Sequence, residues 1–362
     1  MKLYAVIMAG GVGSRFWPRS KKKTPKQLLK IFGEHTMIEA TVNRLSGLIE
    51  KENVYVITNE VQRQEVLNQL PDVPAENIIE EPFGRNTAAC IGLASIIIKA
   101  KDPDAITIVL PADHIIKDED KFKEVLENAA KYANESKGLV TIGITPTRPE
   151  TGYGYIQIND KEVAENIYPV YTFAEKPNYA TAVRFVESGD FLWNSGMFIW
   201  RADVILDEIK NLMPDLSEGL STIEKSLTSP NFSQRDGLPK EELKAVYAQL
   251  KKISIDYGIM EKSKKVFLTK GSFNWSDVGS WEEVYQLSEK NEKGNAEIGK
   301  VYTNMVSDSY IYSPDKVTAV IGLDSVIVIN HHDTVLICRR DKAQDVKEIV
   351  DYLKMNKMDE YL

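Results

Sequence analysis

Directly behind the short apolar run "LYAVIM" (3–8), the stretch "AVIMAGGVGSRFWPRSKKKTPKQLL" (5–29) sets Gly10, Gly11 and Gly13 ahead of Arg15 and Lys26. These residue types suit a polyanion. Glycines remove side chains where backbone N–H groups must approach an anion closely. Arg15 offers a planar fork of donors, and Lys26, held after Pro25, offers a mobile point charge. Together they would neutralise a triphosphate. The alternative is an ordinary turn, because the spacing fits neither common phosphate template. The dinucleotide pattern needs a third glycine where Phe16 stands, and the P-loop needs a Gly-Lys-Ser/Thr that is absent here. Lys21, Lys22 and Lys23 read as solvated charges.

Further along, Asp113 follows the apolar run "ITIVLP" (106–111), where a carboxylate facing the core is costly unless ligated or paired. It serves equally well as a helix N-cap before Ile115. Asp277 lies between Trp275 and Trp281. Two separated carboxylates converging on a triphosphate are what magnesium prefers, with water and phosphate completing its shell. Glu175-Lys176-Pro177 is either a surface turn or a place where Lys176 projects into a cleft. Asn194, before Ser195-Gly196, can serve vicinal hydroxyls or a turn. Gly152 and Gly154 would let backbone reach a sugar that Tyr153 and Tyr155 could wall. Asn86 and Thr87 open a helix and so read first as caps. His331-His332 suits a solvated strand end better than a metal.

The composition narrows the classes. At 362 residues, 43% hydrophobic and 27% charged, the chain is an ordinary soluble protein of two or three domains. A net charge of -8 and a pI near 5.3, with no extended basic block beyond the opening loop, argue against nucleic acid. Cys90 and Cys338 are too few and too far apart for a disulfide framework or a zinc cage, which points to a reducing cytoplasm. No apolar run approaches a signal h-region or the roughly 18 residues of a membrane span, so neither export nor a membrane is expected.

Elements that could position these residues follow from periodicity. "LYAVIM", "VYVIT" (54–58), "ITIVLP" and "LVTIGI" (139–144) are continuous apolar runs, the signature of strands buried on both faces. Helical spacing over 36–49, 86–99 and 119–132 separates them. This βαβ alternation predicts an α/β domain with a mainly parallel sheet. From Thr151 come shorter aromatic strands, a helix over 179–188 and "GMFIW". Helices are then expected over 202–227 and 241–262 across a Ser/Pro/Asn-rich break at 228–237. Residues 291–299 look like a linker, 301–338 is strand-rich, and 343–355 is a closing amphipathic helix.

"MAGGVGSRFWPRSKKKTPKQ" resembles the signature loop of the sugar-nucleotide pyrophosphorylases, and its Trp17-Pro18 and Pro25-Lys26-Gln27 forms resemble the mannose-1-phosphate guanylyltransferase branch. "EPFGRNTA" (81–88), "LPADH" (110–114), "GYGYI" (152–156), "FAEKP" (173–177), "NSGMFIW" (194–200), "SIDYGIMEK" (254–262) and "NWSDVGSW" (274–281) resemble that family's motifs in its order. The resemblance implies a Rossmann-like nucleotidyltransferase domain with a mixed, mainly parallel central sheet over 1–290. It implies a small C-terminal β-rich, short β-solenoid-like domain over 291–362. By the same resemblance, Ala9, Gly10, Gly11, Gly13, Arg15 and Lys26 hold the nucleotide, with Glu81, Asn86 and Thr87 at the guanine base. Tyr153, Gly154, Glu175, Lys176 and Asn194 hold the sugar phosphate, and Asp113 and Asp277 hold Mg²⁺. Arg15, Lys26, Asp113, Lys176 and Asp277 are then the catalytic set. The expected reaction joins GTP and mannose 1-phosphate to give GDP-mannose and pyrophosphate, in a cytoplasmic homo-oligomer, a dimer being favoured. Too few residues follow Trp281 for the cupin isomerase domain of longer members, so phosphomannose isomerase activity is not expected. Two rivals are a pyrophosphorylase for glucose 1-phosphate, which the base and sugar motifs disfavour, and a silent regulator, which should have lost some of these charges.

Overall fold

A computed structural model describes residues 1–227 and 238–362, so the break expected at 228–237 lies outside the described residues. The chain divides into two compact units: residues 1–10, 41–112 and 116–275, and residues 11–40, 113–115 and 276–362.

The first unit is built on a nine-stranded sheet. In chain order come β1 (Leu3–Met8), β2 (Val54–Asn59), β3 (Ile78–Glu81) and β4 (Ile106–Pro111). Past a two-residue β5 (Ile115–Ile116) come β6 (Leu139–Ile144), β7 (Tyr155–Ile158), β8 (Ile167–Ala174), β9 (Phe191–Arg201) and β10 (Val266–Lys270). The spatial order is β3-β2-β1-β4-β9-β6-β10-β8-β7. Seven of the nine strands run one way, and only β8 and β9 are reversed. The sheet is therefore mixed: most strands point one way, β1 to β4 pair in parallel as do β6 and β10, and every pairing made by β8 or β9 is antiparallel. The apolar runs of β1, β4 and β6 are buried on both faces, as continuous runs require.

Helices cover the sheet. α1 (Met37–Asn43) is shorter than the expected 36–49: a capping box of Thr36 and Glu39 starts it, and turns around Gly47, at φ 82, follow it. After α2 (Glu60–Gln69) comes α3 (Thr87–Lys101), apolar all round, and residues 88–98 are buried throughout. α4 (Glu119–Ser136) and α5 (Tyr179–Ser188) match their periodicity. The helices expected over 202–227 are two, α6 (Ala202–Leu212) and α7 (Pro214–Leu227), because Pro214 cannot continue the first and is well placed to start the second. Over 241–262 helix covers only part of the expected span: α8 (Lys240–Gln249) stops early, and a single π turn over Asp256–Met260 follows.

The second unit contains a small β module. After the two-residue β11 (Trp275–Ser276) and α9 (Trp281–Leu287) come β12 (Ala296–Asn304), β13 (Tyr310–Ile321), β14 (Val326–His331) and β15 (Thr334–Arg339), ordered as in sequence. The β12–β13 and β13–β14 pairs are parallel although only residues 305–309 and 322–325 connect them. Such links are too short for a crossover helix, so the chain coils as in a β-solenoid. β12 begins inside the expected linker; its polar, exposed pattern is that of an edge strand. α10 (Val346–Met355) closes the module. Its Val346, Val350 and Leu353 join Trp281, Tyr310 and the opening-loop residues Phe16 and Trp17 in one buried core.

Candidate functional site

Each unit carries one cluster of the expected site residues. In the second unit the glycine loop leads into a single 3₁₀ turn, Ser14–Phe16, entered through Gly13 at φ 57. A Cβ at Gly13 would lie 2.7 Å from the Lys26 Cβ and 2.8 Å from its backbone nitrogen, so only glycine lets the loop pass this close to Lys26. Arg15 is exposed, whereas the Lys26 side chain is 5% exposed. Its Nζ donates to the Asp113 carboxylate at 2.9 Å and to the Asp277 main-chain oxygen at 2.5 Å. Three segments remote in sequence thus converge on one ammonium. Burial works against ionisation of Asp113, yet the charges of Lys26 and His114 and the Lys26 hydrogen bond hold its pKa below the ordinary value. No helix begins at Ile115; α4 starts at Glu119, so Asp113 is not the N-cap considered for it.

The first unit gathers the residues expected at a sugar phosphate. β7 and β9 are antiparallel neighbours, and the Asn194 N–H donates to the Gly154 carbonyl at 2.8 Å. The Lys176 N–H donates to the Tyr153 carbonyl at 3.2 Å, and Lys176 Nζ pairs with Glu175 Oε1 at 2.5 Å. A Cβ on Gly154 would lie 2.5 Å from Glu175 Oε2. Tyr153 packs edge-on against Trp193 and Trp275, with ring centroids 5.1 and 5.6 Å away. All five residues are brought together.

Two members of this cluster carried no assigned role in sequence. Asp256 Oδ1 accepts from Asn194 Nδ2 at 2.8 Å; burial first, then the nearby Glu175 carboxylate, push its pKa up to about 6. Glu261 accepts the Glu175 N–H at 3.0 Å. Both lie in "SIDYGIMEK", which a long-helix reading hides. The π turn over Asp256–Met260 is the kind of irregularity found at functional positions.

Glu81, at the end of β3, is 6% exposed, and its Oε1 has no hydrogen-bond partner among the described residues. Burial raises its pKa to about 7, against a partial offset from a Tyr247 hydrogen bond. The ideal Cβ of Gly10 would stand 3.8 Å from its Oε2, and Ala9, next to Gly10 in the chain, is buried. Asn86 accepts from the Thr87 N–H and caps α3, while Thr87 Oγ1 accepts the Ile255 N–H at 2.9 Å. Asn86 therefore caps α3, while the Thr87 hydroxyl ties the start of the helix to Ile255.

Backbone strain falls on the same motifs. Asn86 (φ 67, ψ -178), Lys176 (φ 50) and the β-branched Val278 (φ 46), beside Asp277, all adopt positive φ. Such conformations cost about 1–3 kcal/mol each and persist where surrounding structure enforces them.

Comparison with known proteins places the chain in a family. The nucleotidyl transferase family model matches residues 4–294, and a MannoseP isomerase/GMP-like beta-helix domain matches 306–353. Mannose-1-phosphate guanylyltransferases from Klebsiella pneumoniae and from Escherichia coli strain K12 are 39% and 40% identical, over 99% and 98% of this chain and 75% and 74% of theirs. A Thermus thermophilus crystal structure described as a mannose-1-phosphate geranyltransferase aligns with TM-score 0.86 and 32% identity over 98% of this chain and all of that one. A Helicobacter pylori mannose-6-phosphate isomerase aligns over 76% of this chain and all of its own, at TM-score 0.61 and 27% identity. Among the described residues no helix is long and apolar enough to cross a membrane. The chain is an enzyme of the nucleotidyl transferase family, on its mannose-1-phosphate guanylyltransferase branch.

Proposed function

We propose that the chain transfers GMP from GTP to α-D-mannose 1-phosphate, releasing pyrophosphate and GDP-mannose by in-line attack of the sugar phosphate on the α-phosphorus. The observation that carries this is the Lys26 ammonium, which holds Asp113 and the Asp277 backbone at 2.9 and 2.5 Å. Arg15 and Lys26 bind the leaving pyrophosphate. Glu175, Lys176, Asn194, Tyr153 and the Gly154 backbone hold and orient mannose 1-phosphate. No side-chain nucleophile is required, because a phosphate monoester with a second pKa near about 6 is already largely dianionic at neutral pH. Catalysis is positioning and charge stabilisation, with no covalent enzyme intermediate.

The Asp113 carboxylate, 37% exposed, and the Asp277 main-chain oxygen meet at one ammonium, and hard oxygen donors of these two residues, few in number, fit magnesium. Bound there, Mg²⁺ would neutralise phosphate charge as it develops in transfer. Glu81 and the Asn86-Thr87 turn, with Ala9 and Gly10 of the same unit, serve the guanine base. An ionised Glu81 suits the adjacent N–H donors of a guanine edge and not the donor–acceptor edge of adenine. The protein is assigned to the cytoplasm as a homo-oligomer, with a dimer favoured.

The test is pyrophosphate release by purified protein with Mg²⁺, crossing GTP, ATP, UTP and dTTP against mannose 1-phosphate and glucose 1-phosphate. Release confined to GTP with mannose 1-phosphate is expected, and chelation should abolish it. Preference for another pair overturns the substrate assignment, and silence in all wells overturns the activity.

A further inference from the structure

Far from these residues in sequence, the β module brings together three groups that could share a cation. The β12–β13 ladder pairs Gly299 with Ser313 and then Val301 with Thr318, so β13 carries extra residues that leave the ladder as a bulge. Asp315 rides on it. Ser313 Oγ closes the bulge by bonding the Lys316 carbonyl at 2.6 Å and the Thr318 hydroxyl at 2.8 Å, and Asn330 Nδ2 ties Thr318 to β14 at 3.0 Å. His331 and His332 sit where β14 turns into β15, His331 paired with Thr334 and His332 at φ 53. Lys316 Nζ donates to the His332 carbonyl, fastening bulge to turn.

We propose that Asp315, His331 and His332 form a binding site for a zinc-class divalent transition ion. One ligand atom from each lies within 4.8 Å of the other two, the imidazole rings are 4.0 Å apart, and His332 Nδ1 lies 3.8 Å from Asp315 Oδ2. Small side-chain rotations bring such donors to the 2.0–2.2 Å bonds of a zinc ion. His331 Nδ1 is sealed from solvent and has no hydrogen-bond partner among the described residues, an arrangement a coordinated ion would resolve. Burial, with the charges of His332, Arg19 and Lys21, disfavours the protonated form of His331 against the pull of Asp315, and the neutral imidazole is the form that ligates. Two imidazoles and one carboxylate select zinc, cobalt, nickel or copper over magnesium, which prefers oxygen alone. Three protein donors leave a fourth position to water. Arg19, Lys21 and Lys316 oppose any cation here, so the site must draw its affinity from direct coordination rather than from a negative field.

The test uses full-length, tag-free protein in excess Mg²⁺, which keeps the oxygen site at Asp113 and Asp277 occupied. Co²⁺ is titrated and followed by its ligand-field absorption, with Zn²⁺ competition by calorimetry. One equivalent per chain is expected. Asp315→Asn, and His332→Asn, chosen because asparagine tolerates positive φ, should each weaken binding about tenfold or more with guanylyl transfer unchanged. Circular dichroism checks their fold, and Asp315→Asn, on the exposed bulge, reports if the turn variant misfolds. No stoichiometric Co²⁺ binding, or wild-type affinity in either folded variant, overturns the site.

Discussion

Replacing Glu81 with glutamine tests the burial of its carboxyl. The folded protein holds this group at about pH 7, against an ordinary 4.5. Below 4.5 the group is protonated in both folded and unfolded chains and costs nothing. Between 4.5 and 7 the unfolded chain ionises while the folded one keeps its proton, so stability falls as pH rises, and above 7 the cost is complete. At about 1.4 kcal/mol per pH unit, the full cost is on the order of 3 kcal/mol. Glu81→Gln keeps the shape and cannot ionise. Thermal and urea unfolding should find variant and wild type alike at pH 4.5 and the variant more stable at pH 8, by several degrees on the scale of a degree or more per kcal/mol for a chain of this size. A difference that is the same at both pH values, or a wild type gaining relative stability toward pH 8, would refute the reasoning. Guanine donors would favour the ionised form, so GTP binding should release a proton near pH 6.5, visible as calorimetric heats that depend on buffer ionisation, and Glu81→Gln should abolish that dependence.

Lys26→Ala removes the ammonium that joins Asp113 to the Asp277 backbone at 2.9 and 2.5 Å. The variant should stay folded, since over a third of Asp113 reaches solvent, and turnover should drop by about 10²-fold or more. A folded variant at near wild-type rate removes Lys26 from the mechanism. Gly154→Ala drives a methyl to within 2.5 Å of Glu175 Oε2 and 3.2 Å of Asn194 Cβ. Its KM for mannose 1-phosphate should rise about tenfold or more with the KM for GTP unchanged; steady-state kinetics showing both KM values moving together would sink the sugar-side assignment.

What the sequence disclosed depended on the range of the signal. β1, β4, β6 and α5 were legible to the residue, because continuous burial or an amphipathic stripe is written locally. The opening loop stands out in sequence because its glycines and cations name a chemistry, and Gly13 does take the positive φ that glycine allows. Asp256 was not: within "SIDYGIMEK" its neighbours continue a helical pattern, and only the tertiary hydrogen bond to Asn194, 62 residues away, gives it a place. Edge strand β12 hid for the converse reason, since its exposed residues mimic a linker. His331-His332 reads as a solvated strand end, and the nearness of Asp315 is hidden because it arrives by a bulge that no short window records.

Phe16 and Trp17, from the loop that precedes Lys26, share a core with Trp281, Tyr310 and the closing helix, and Trp17 Nε1 bonds the Tyr361 carbonyl at 2.9 Å. The last residues of the chain are thus a wall against which the first loop is moulded. A lineage cannot trade this β module for another as freely as it exchanges an appended domain. Each substitution at Val346, Val350 or Leu353 is also a substitution in the bed of the opening loop, so this face of the tail and the opening motif should drift together.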